Sequence, residues 1–207
     1  IKFSKNNRVY FGIIENNKIH HISSTPFKKY DFTSEVSSFP EVNILPPVAP
    51  GKIIAIGLNY RDHLTHIGER PEPKHPEPFL ITPSAIIGHH TPIILPQGAS
   101  QVEEEAELVI IMGKTCKNIS AKNAKDYIFG YTCGNDVSAR DWQKNDLQWT
   151  RAKSSDTFSP IGPYITTGIN PDSLDIQCRV NGKTVQNSNT KYLIHSVSDI
   201  IAFISSF

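Results

Sequence analysis

The sequence predicts a β-rich α+β fold, and three observations support this prediction. Short apolar runs, many of them rich in β-branched residues and bounded by Gly, Pro, Asn or Asp, recur along the 207 residues. Helix signals are confined to three short segments. Asn181-Gly182, between two strand-like runs, is the strongest hairpin signal in the chain.

The first fifty residues predict a small N-terminal β module. Its predicted elements are a strand at residues 8–14, a turn at 15–17, a partner strand at 18–22 and an irregular segment at 23–43. Pro46-Pro47 and Pro50-Gly51 then interrupt the chain. We therefore divide the chain into this module, residues 1–50, and a larger domain, residues 51–207.

The larger domain is predicted to alternate short strands with a few helices. Predicted strands lie at residues 52–56, 79–82, 92–95, 105–112, 127–136, 176–180 and 183–186. Predicted helices lie at residues 60–67, 121–126 and 197–207. Ser120 is expected to cap the second helix, and Ser196-x-x-Asp199 resembles a capping box that opens the third. The proline-rich segment 69–78 is expected to be exposed and mobile.

Composition narrows the classes of function. A net charge of +1 gives no electrostatic case for binding nucleic acid or an anionic membrane. No apolar run reaches the roughly 20 residues of a membrane span, and the first residues do not resemble a signal peptide. Three separated cysteines indicate a reducing compartment without disulfides. We expect a cytoplasmic protein, with a mitochondrial location left open.

An acidic segment precedes the apolar end of the predicted strand 105–112. Side chains alternate along a strand, so one face carries three glutamates and the other is a core face. The glutamates are Glu103, Glu105 and Glu107, and the core face is Ala106, Leu108, Ile110 and Met112. A solvated strand end is the simpler interpretation. The apolar continuation on both faces favours an interior strand, where clustered carboxylates need a counter-charge. A set of oxygen ligands favours Mg²⁺, Mn²⁺ or Ca²⁺ over zinc or copper. The spacing alone does not decide whether the ligand pair is Glu103 and Glu105 or Glu105 and Glu107.

Several motifs, in order and spacing, resemble one enzyme family. They are Ile56-Gly57-Leu58-Asn59-Tyr60-x-x-His63, Glu105-Ala106-Glu107-Leu108, Asn135-Asp136-x-Ser138-Ala139-Arg140-Asp141-x-Gln143, Ala152-Lys153-x-x-Asp156-Thr157 and Gln186-x-Ser188-Asn189-Thr190. The chain resembles the fumarylacetoacetate hydrolase family along essentially its whole length. The similar branch includes 2-hydroxyhepta-2,4-diene-1,7-dioate isomerases, acylpyruvases and oxaloacetate decarboxylases.

The resemblance implies a family-specific roll of mixed β-sheets that forms a homodimer. It also implies Mg²⁺ or Mn²⁺ held by Glu105, Glu107 and Asp136. The implied substrates are small 2-oxo or β-diketo acids, which the family hydrolyses, decarboxylates or isomerises.

The resemblance also assigns roles to further residues. Lys153 would supply a positive charge for an oxyanion or a substrate carboxylate, and Arg140 and Gln143 would orient that carboxylate. His63, on a helix that could close as a lid, would be the general base. Without the resemblance, surface positions would be the default for the lysine and the histidine.

The chain departs from the family pattern at two positions. His66 stands three residues after His63, where family hydrolases commonly have a glutamate, and it becomes a second candidate catalytic residue. Thr82 stands where a lysine is common. Both departures favour decarboxylation or isomerisation over hydrolysis, and a catalytically impaired metal- or ligand-binding protein is the alternative. Relatives continue with further strands and a Gly-Thr-Pro loop, so we expect that the C-terminal part of the domain is missing after Phe207.

Overall fold

The computed structural model describes residues 1–66 and 71–207, and of His66 it describes the backbone alone. The strands are β1 (Lys2–Lys5), β2 (Arg8–Glu15), β3 (Lys18–Ile22), β4 (Phe32–Ser37), β5 (Asn43–Ile44), β6 (Ile53–Gly57), β7 (Glu77–Ile81), β8 (Ile86–Ile87), β9 (Val102–Glu103), β10 (Ala106–Met112), β11 (Ile128–Asn135), β12 (Ser138–Ala139), β13 (Ser159–Thr166), β14 (Asp175–Val180) and β15 (Lys183–Asn189). The α-helices are α1 (Arg61–His66), α2 (Arg140–Asn145), α3 (Thr150–Ser154) and α4 (Val197–Ile204). Short 3-10 helices span Phe39–Glu41, Pro83–Ala85, Ala121–Tyr127, Pro171–Ser173 and Thr190–Tyr192. Within the described ranges, none of these helices has the length and apolar character needed to cross a membrane.

The N-terminal residues form one antiparallel sheet with the strand order β4-β3-β2-β1-β5. Asn16 and Asn17 have φ angles of 50° and 59°, as a tight turn between β2 and β3 requires, so the predicted hairpin is confirmed. The expectation that residues 23–43 are irregular is wrong, because β4 pairs with β3 inside that segment. β4 is an edge strand whose first five residues are exposed, so it has no alternating apolar pattern to reveal it.

The larger domain is built on a mixed four-stranded sheet with the order β10-β11-β13-β8, in which only β13 and β8 run parallel. α4 and the 3-10 helix Ala121–Tyr127 pack on it around Tyr131, Val197 and Ile201. The predicted strands 105–112 and 127–136 form its β10–β11 pair. The predicted capping box of α4 is present, with both of its hydrogen bonds, although the helix ends at Ile204.

β10 follows the predicted alternation of faces up to its last residues. Leu108 and Ile110 pack against the core cluster. Met112, expected on the same face, is 38% exposed, which corrects that assignment. The register with β11 shifts between Ile111 and Met112, where Phe129 of β11 is left unpaired, so the regular alternation of faces ends at this point.

Three two-stranded sheets, β6–β7, β9–β12 and β14–β15, complete the architecture. The Asn181-Gly182 turn joins β14 to β15 with φ angles of 51° and 78°, which confirms that hairpin. The predicted strand at 92–95 is wrong, because this apolar run has no regular structure, and Ile94 and Leu95 are exposed. The predicted helix at 121–126 is of the 3-10 type, and the side chain of Ser120 makes no capping bond. Residues 69 and 70 of the segment predicted to be mobile, and residue 67 at the end of the predicted helix 60–67, lie outside the described residues.

Candidate metal centre and active site

The antiparallel pairing of β10 and β11 brings two of the three predicted metal ligands, Glu105 and Asp136, together. Ala106 is in register with Asn135, so Glu105, just before β10, lies opposite Asp136, just after β11. The Asp136 amide donates to the Glu105 carbonyl at 2.9 Å, and the Glu105 amide donates to Asn135 Oδ1 at 3.0 Å. Glu107 follows two residues later on the same strand face as Glu105.

Lys153 lies between two of these carboxylates. Its Nζ donates to Glu105 Oε2 at 2.6 Å and to Asp136 Oδ2 at 2.8 Å, and the residue is 2% exposed. Lys153 is on α3, where its backbone amide bonds to the carbonyl of Trp149 at 2.9 Å. The short helix thus directs a buried ammonium group at the acidic end of the sheet.

Arg140, the first residue of α2, faces the same cluster. Its Nη2 donates to Glu105 Oε1 at 2.6 Å, its Nε to Glu103 Oε2 at 2.8 Å, and its Nη1 to Gln143 Oε1 at 2.9 Å. The predicted pair Arg140 and Gln143 is therefore in contact on one helix face. These bonds use three of the five N–H donors of the guanidinium group.

Burial and mutual repulsion govern the titration of the carboxylates. Burial, together with the charges of Glu105 and Asp136, raises the pKa of Glu107 to about 8. Burial also raises the pKa of Asp136, against the opposing charge of Lys153. Burial acts to raise the pKa of Glu105 too, but Lys153 and Arg140 outweigh it and lower that pKa below its ordinary value.

The charge balance and the donor atoms fit a hard divalent cation. Four carboxylates face two cationic side chains, which leaves one negative charge while Glu107 is protonated and two once it is ionised. Asp136 Oδ1 is buried and makes no hydrogen bond within the described residues. The ligand geometry is not preassembled, because no group of three or more His, Cys, Asp or Glu side chains converges on one metal position in the described ranges. The ammonium of Lys153 instead bridges Glu105 and Asp136.

His63 on α1 lies close enough to this cluster for the charges of Glu105, Arg140 and Lys153 to act on its imidazole. Burial lowers the pKa of His63. The charge of Glu105 opposes this effect, whereas the charges of Arg140 and Lys153 add to it. The pKa therefore lies below its ordinary value, and the imidazole is neutral at pH 7. The His63 amide donates to Asp62 Oδ1 at 3.0 Å, and Asp62 Oδ2 accepts a hydrogen bond from Ser188 Oγ. The side chain of His66, the second candidate catalytic histidine, lies outside the described residues.

The start of α1 is anchored to the segment before α4. Asn59 is buried; its side chain donates to the His195 carbonyl at 3.0 Å and accepts from the His195 amide at 2.9 Å. Arg61 Nη1 also donates to the Leu193 carbonyl at 3.0 Å. Leu58, just before, has a φ of 55°, which turns the chain from β6 into the helix.

A cavity of about 810 Å³ adjoins the site. Its polar end includes Asn59, Tyr60, Glu107 and Asp136, and much of its wall is apolar. Burial raises the pKa of the Tyr60 hydroxyl, and the charge of Glu107 adds to this effect, so the hydroxyl keeps its proton next to the carboxylates. The cavity therefore reaches two of the candidate metal ligands, Glu107 and Asp136.

Comparison with family models decides the identity of the fold. Residues 52–207 match the fumarylacetoacetate (FAA) hydrolase C-terminal family, and residues 1–47 match the Rv2993c-like N-terminal family. The chain belongs to the fumarylacetoacetate hydrolase family. This confirms the resemblance seen in the motifs.

Relatives within the family carry enzyme names. The oxaloacetate tautomerase fahd2 of Xenopus laevis, a mitochondrial protein, is 43% identical over 183 residues, which are 86% of this chain and 57% of that protein. The crystal structure of 5-carboxymethyl-2-hydroxymuconate delta-isomerase from Mycobacterium smegmatis is 38% identical, with a TM-score of 0.91 over 99% of this chain and 81% of that one. Maleylpyruvate hydrolase from Sphingobium sp. SYK-6, solved in complex with manganese(II) and pyruvate, is 26% identical, with a TM-score of 0.79 over 100% of this chain and 83% of that one.

These likenesses confirm the predicted β-rich α+β fold of the family. The alignments with curated relatives span between 55% and 71% of the relatives' own length.

Sequence reasoning missed the residues that position the site. Gln186 Oε1 accepts from the Ala106 amide at 2.7 Å, and its Nε2 donates to the Ala106 carbonyl at 3.0 Å. Asn59 and Ser188 anchor α1 in the bonds described above. All three lie in the stretches that match the family, but their partners are more than 75 residues away along the chain. The motif marks such residues, while their role depends on the tertiary contact.

Proposed function

We propose that this chain carries the metal centre of an enzyme that acts on small 2-oxo or β-diketo acids. Glu105, Glu107 and Asp136 would hold Mg²⁺ or Mn²⁺. The observation that supports this most strongly is the buried carboxylate cluster itself, in which burial and the charges of Glu105 and Asp136 raise the pKa of Glu107 to about 8 and Asp136 Oδ1 makes no hydrogen bond within the described residues. The names of the relatives, which are tautomerases, isomerases and a hydrolase of keto acids, point the same way.

The bound cation would act as a Lewis acid for the negative charge that develops on an enolate oxygen. The neutral imidazole of His63 would accept the proton from the carbon next to the oxo group. Lys153 would keep a fixed positive charge beside the same oxygen. Arg140 has two N–H donors beyond its three described bonds, and these could bind the substrate carboxylate, with Gln143 fixing the guanidinium plane.

Within this class we favour tautomerisation or decarboxylation over hydrolysis. Enolisation requires only the cation and one base, whereas hydrolysis also requires an activated water. Family hydrolases commonly supply a glutamate for that water, and this chain has His66 there. Homodimeric assembly and a cytoplasmic location are further parts of the proposal, and light scattering of the purified chain would test the first.

The test combines metal binding with turnover. Free Mn²⁺ would be measured by electron paramagnetic resonance, and oxaloacetate, acetylpyruvate and fumarylpyruvate would be followed by NMR, which separates tautomer exchange, decarboxylation and C–C cleavage. We expect Glu107→Gln to weaken Mn²⁺ binding and abolish turnover. Glu104→Gln, a neighbour outside the proposed ligand set, is the matched control and should leave both unchanged. Equal Mn²⁺ affinity in the Glu107 variant and the wild type would refute the proposed centre.

A second candidate is a metal- or ligand-binding protein without catalysis. The observations that favour it are His66 and Thr82 at positions where the family has Glu and Lys. The Thr82 hydroxyl bonds to Ser84 Oγ at 3.0 Å and to the Ser154 carbonyl at 3.4 Å, so it has a structural use beside α3. Mn²⁺ binding through Glu105 and Glu107 without turnover of the three substrates would support this candidate.

A further inference from the structure

We propose that one face of β15 sets the position of the metal-binding strand relative to the helix that carries His63. Gln186 and Ser188 are the positioning residues. The inference rests on the proposed function, because the distance it fixes is that between a base and a metal site. It assigns a role to β15, a strand that contributes no candidate ligand or catalytic residue.

The first contact is made by Gln186. Among the strands that the structure describes, β10 lies at the edge of its sheet, so one row of its backbone groups has no neighbouring strand there. Successive residues direct these groups to opposite edges: Glu105 bonds towards β11, and Ala106 faces the open edge. The side-chain amide of Gln186 bonds both the N–H and the C=O of Ala106, at 2.7 and 3.0 Å, as a partner strand would. It therefore fixes the residue between Glu105 and Glu107.

The second contact is made by Ser188, two residues further on and thus on the same face of β15. Its hydroxyl donates to Asp62 Oδ2, and Asp62 Oδ1 accepts from the His63 amide at 3.0 Å. The carboxylate of Asp62 thus links β15 to the first turn of α1. Two adjacent side chains of one strand consequently bind the metal strand and the base-bearing helix.

The spacing between these two contacts is set by the backbone. Positions i and i+2 on a strand are roughly 6–7 Å apart, and β15 pairs with β14 at both positions, where Gln186 faces Cys178 and Ser188 faces Ile176. Asn189 Nδ2 adds a bond to Asp175 Oδ1 at 2.8 Å. A paired hairpin therefore separates the two elements, although its register shifts just before Gln186. We expect that loss of either contact changes the site without removing a ligand.

The experiment uses Gln186→Leu and Ser188→Ala in the full chain. The control is Asn187→Ala, on the opposite face of β15, whose side chain bonds only to Gln177 among the described residues, at 3.2 Å. We expect Gln186→Leu to raise the Kd for Mn²⁺ about 10-fold to 100-fold, as loss of an outer-shell partner does. Ser188→Ala should keep the Mn²⁺ affinity and KM and lower kcat for oxaloacetate tautomerisation about 10-fold or more. The control should change none of these.

A metal-independent readout separates this inference from the proposed function. Amide hydrogen exchange of Ala106, measured by NMR in chelator, should become faster in Gln186→Leu and stay unchanged in Asn187→Ala. If the wild type binds no Mn²⁺ and has no turnover, the proposed function is refuted. Separately, unchanged hydrogen exchange at Ala106 in Gln186→Leu would refute the positioning role of Gln186. Faster exchange with an unchanged Mn²⁺ affinity would also overturn it. If all three variants lose the same free energy of unfolding, with no change in the Kd for Mn²⁺ or in kcat, then β15 has only a structural role.

Discussion

Replacing Lys153 by Met removes the ammonium group that bridges two candidate metal ligands. The residue is 2% exposed, and its bonds to Glu105 and Asp136 measure 2.6 and 2.8 Å. Met fills a similar volume, so the change is mainly one of charge. Removing one partner from a buried ion pair costs about 3–5 kcal/mol, because the remaining charge is left without compensation. Against a typical free energy of unfolding of about 5–15 kcal/mol, this loss is large.

The assay is urea unfolding in chelator and again in saturating Mn²⁺. A cation that binds the folded state adds to its stability, and in the variant it also replaces the missing charge. We therefore expect Mn²⁺ to stabilise Lys153→Met more than the wild type. Lys5→Met is the control, because the Lys5–Glu41 pair, at 2.8 Å, has side chains 32% and 51% exposed. Exposed pairs of this kind contribute less than about 1 kcal/mol.

Two results would refute this reasoning. A loss in chelator no larger for Lys153→Met than for Lys5→Met would mean that the carboxylates do not need the ammonium. Equal stabilisation of the variant and the wild type by Mn²⁺ would mean that the cation binds away from Glu105 and Asp136.

Three further predictions concern ionisation, capping and packing. In chelator, the free energy of unfolding of the wild type should fall relative to that of Glu107→Gln between about pH 5 and pH 8, by up to about 1.4 kcal/mol per pH unit. The reason is that a folded-state pKa near 8 penalises ionisation of Glu107 as the pH rises. Urea unfolding at each pH measures this difference, and parallel curves for the two proteins would contradict the prediction. Ser196→Ala should cost about 0.5–2 kcal/mol by removing the capping box of α4, with Ser198→Ala in the same turn as the neutral control in thermal unfolding. Gly130→Ala should lower the free energy of unfolding by about 1–3 kcal/mol in urea, because the added Cβ would lie 2.6 Å from a carbonyl oxygen of β13. Gly51 has open space around it, so Gly51→Ala should be near neutral. Equal effects of the two substitutions would contradict the packing argument.

Local signals predicted the elements that depend on local physics. The paired asparagines of the first hairpin and Asn181-Gly182 adopt the positive φ angles that their turns need. Alternation along β10 placed Glu105 and Glu107 on one face, and the structure brings Asp136 opposite. The roles of these residues, and the division of the chain near residue 50, stay predictions.

The contacts that position the site could not be predicted from local sequence, because they join residues far apart in the chain. Lys153 meets Glu105 across 48 residues of chain, and Gln186 meets Ala106 across 80, so no window of neighbouring residues contains either pair. The strand prediction at residues 92–95 was wrong for the opposite reason: the composition is strand-like, but the run pairs with no strand in the described part of the chain. β4 was missed because its exposed face gives it no apolar period.

The register shift at the end of β10 bears on how the length of this strand can vary among homologues. An inserted residue between Glu107 and Ile110 would move every later side chain to the other face and bring Ile110 out of the core. The irregularity already present between Ile111 and Met112 lies beyond that stretch. Insertions and deletions can therefore be absorbed after Ile111, while the residues from Glu105 to Ile111 must keep a constant count.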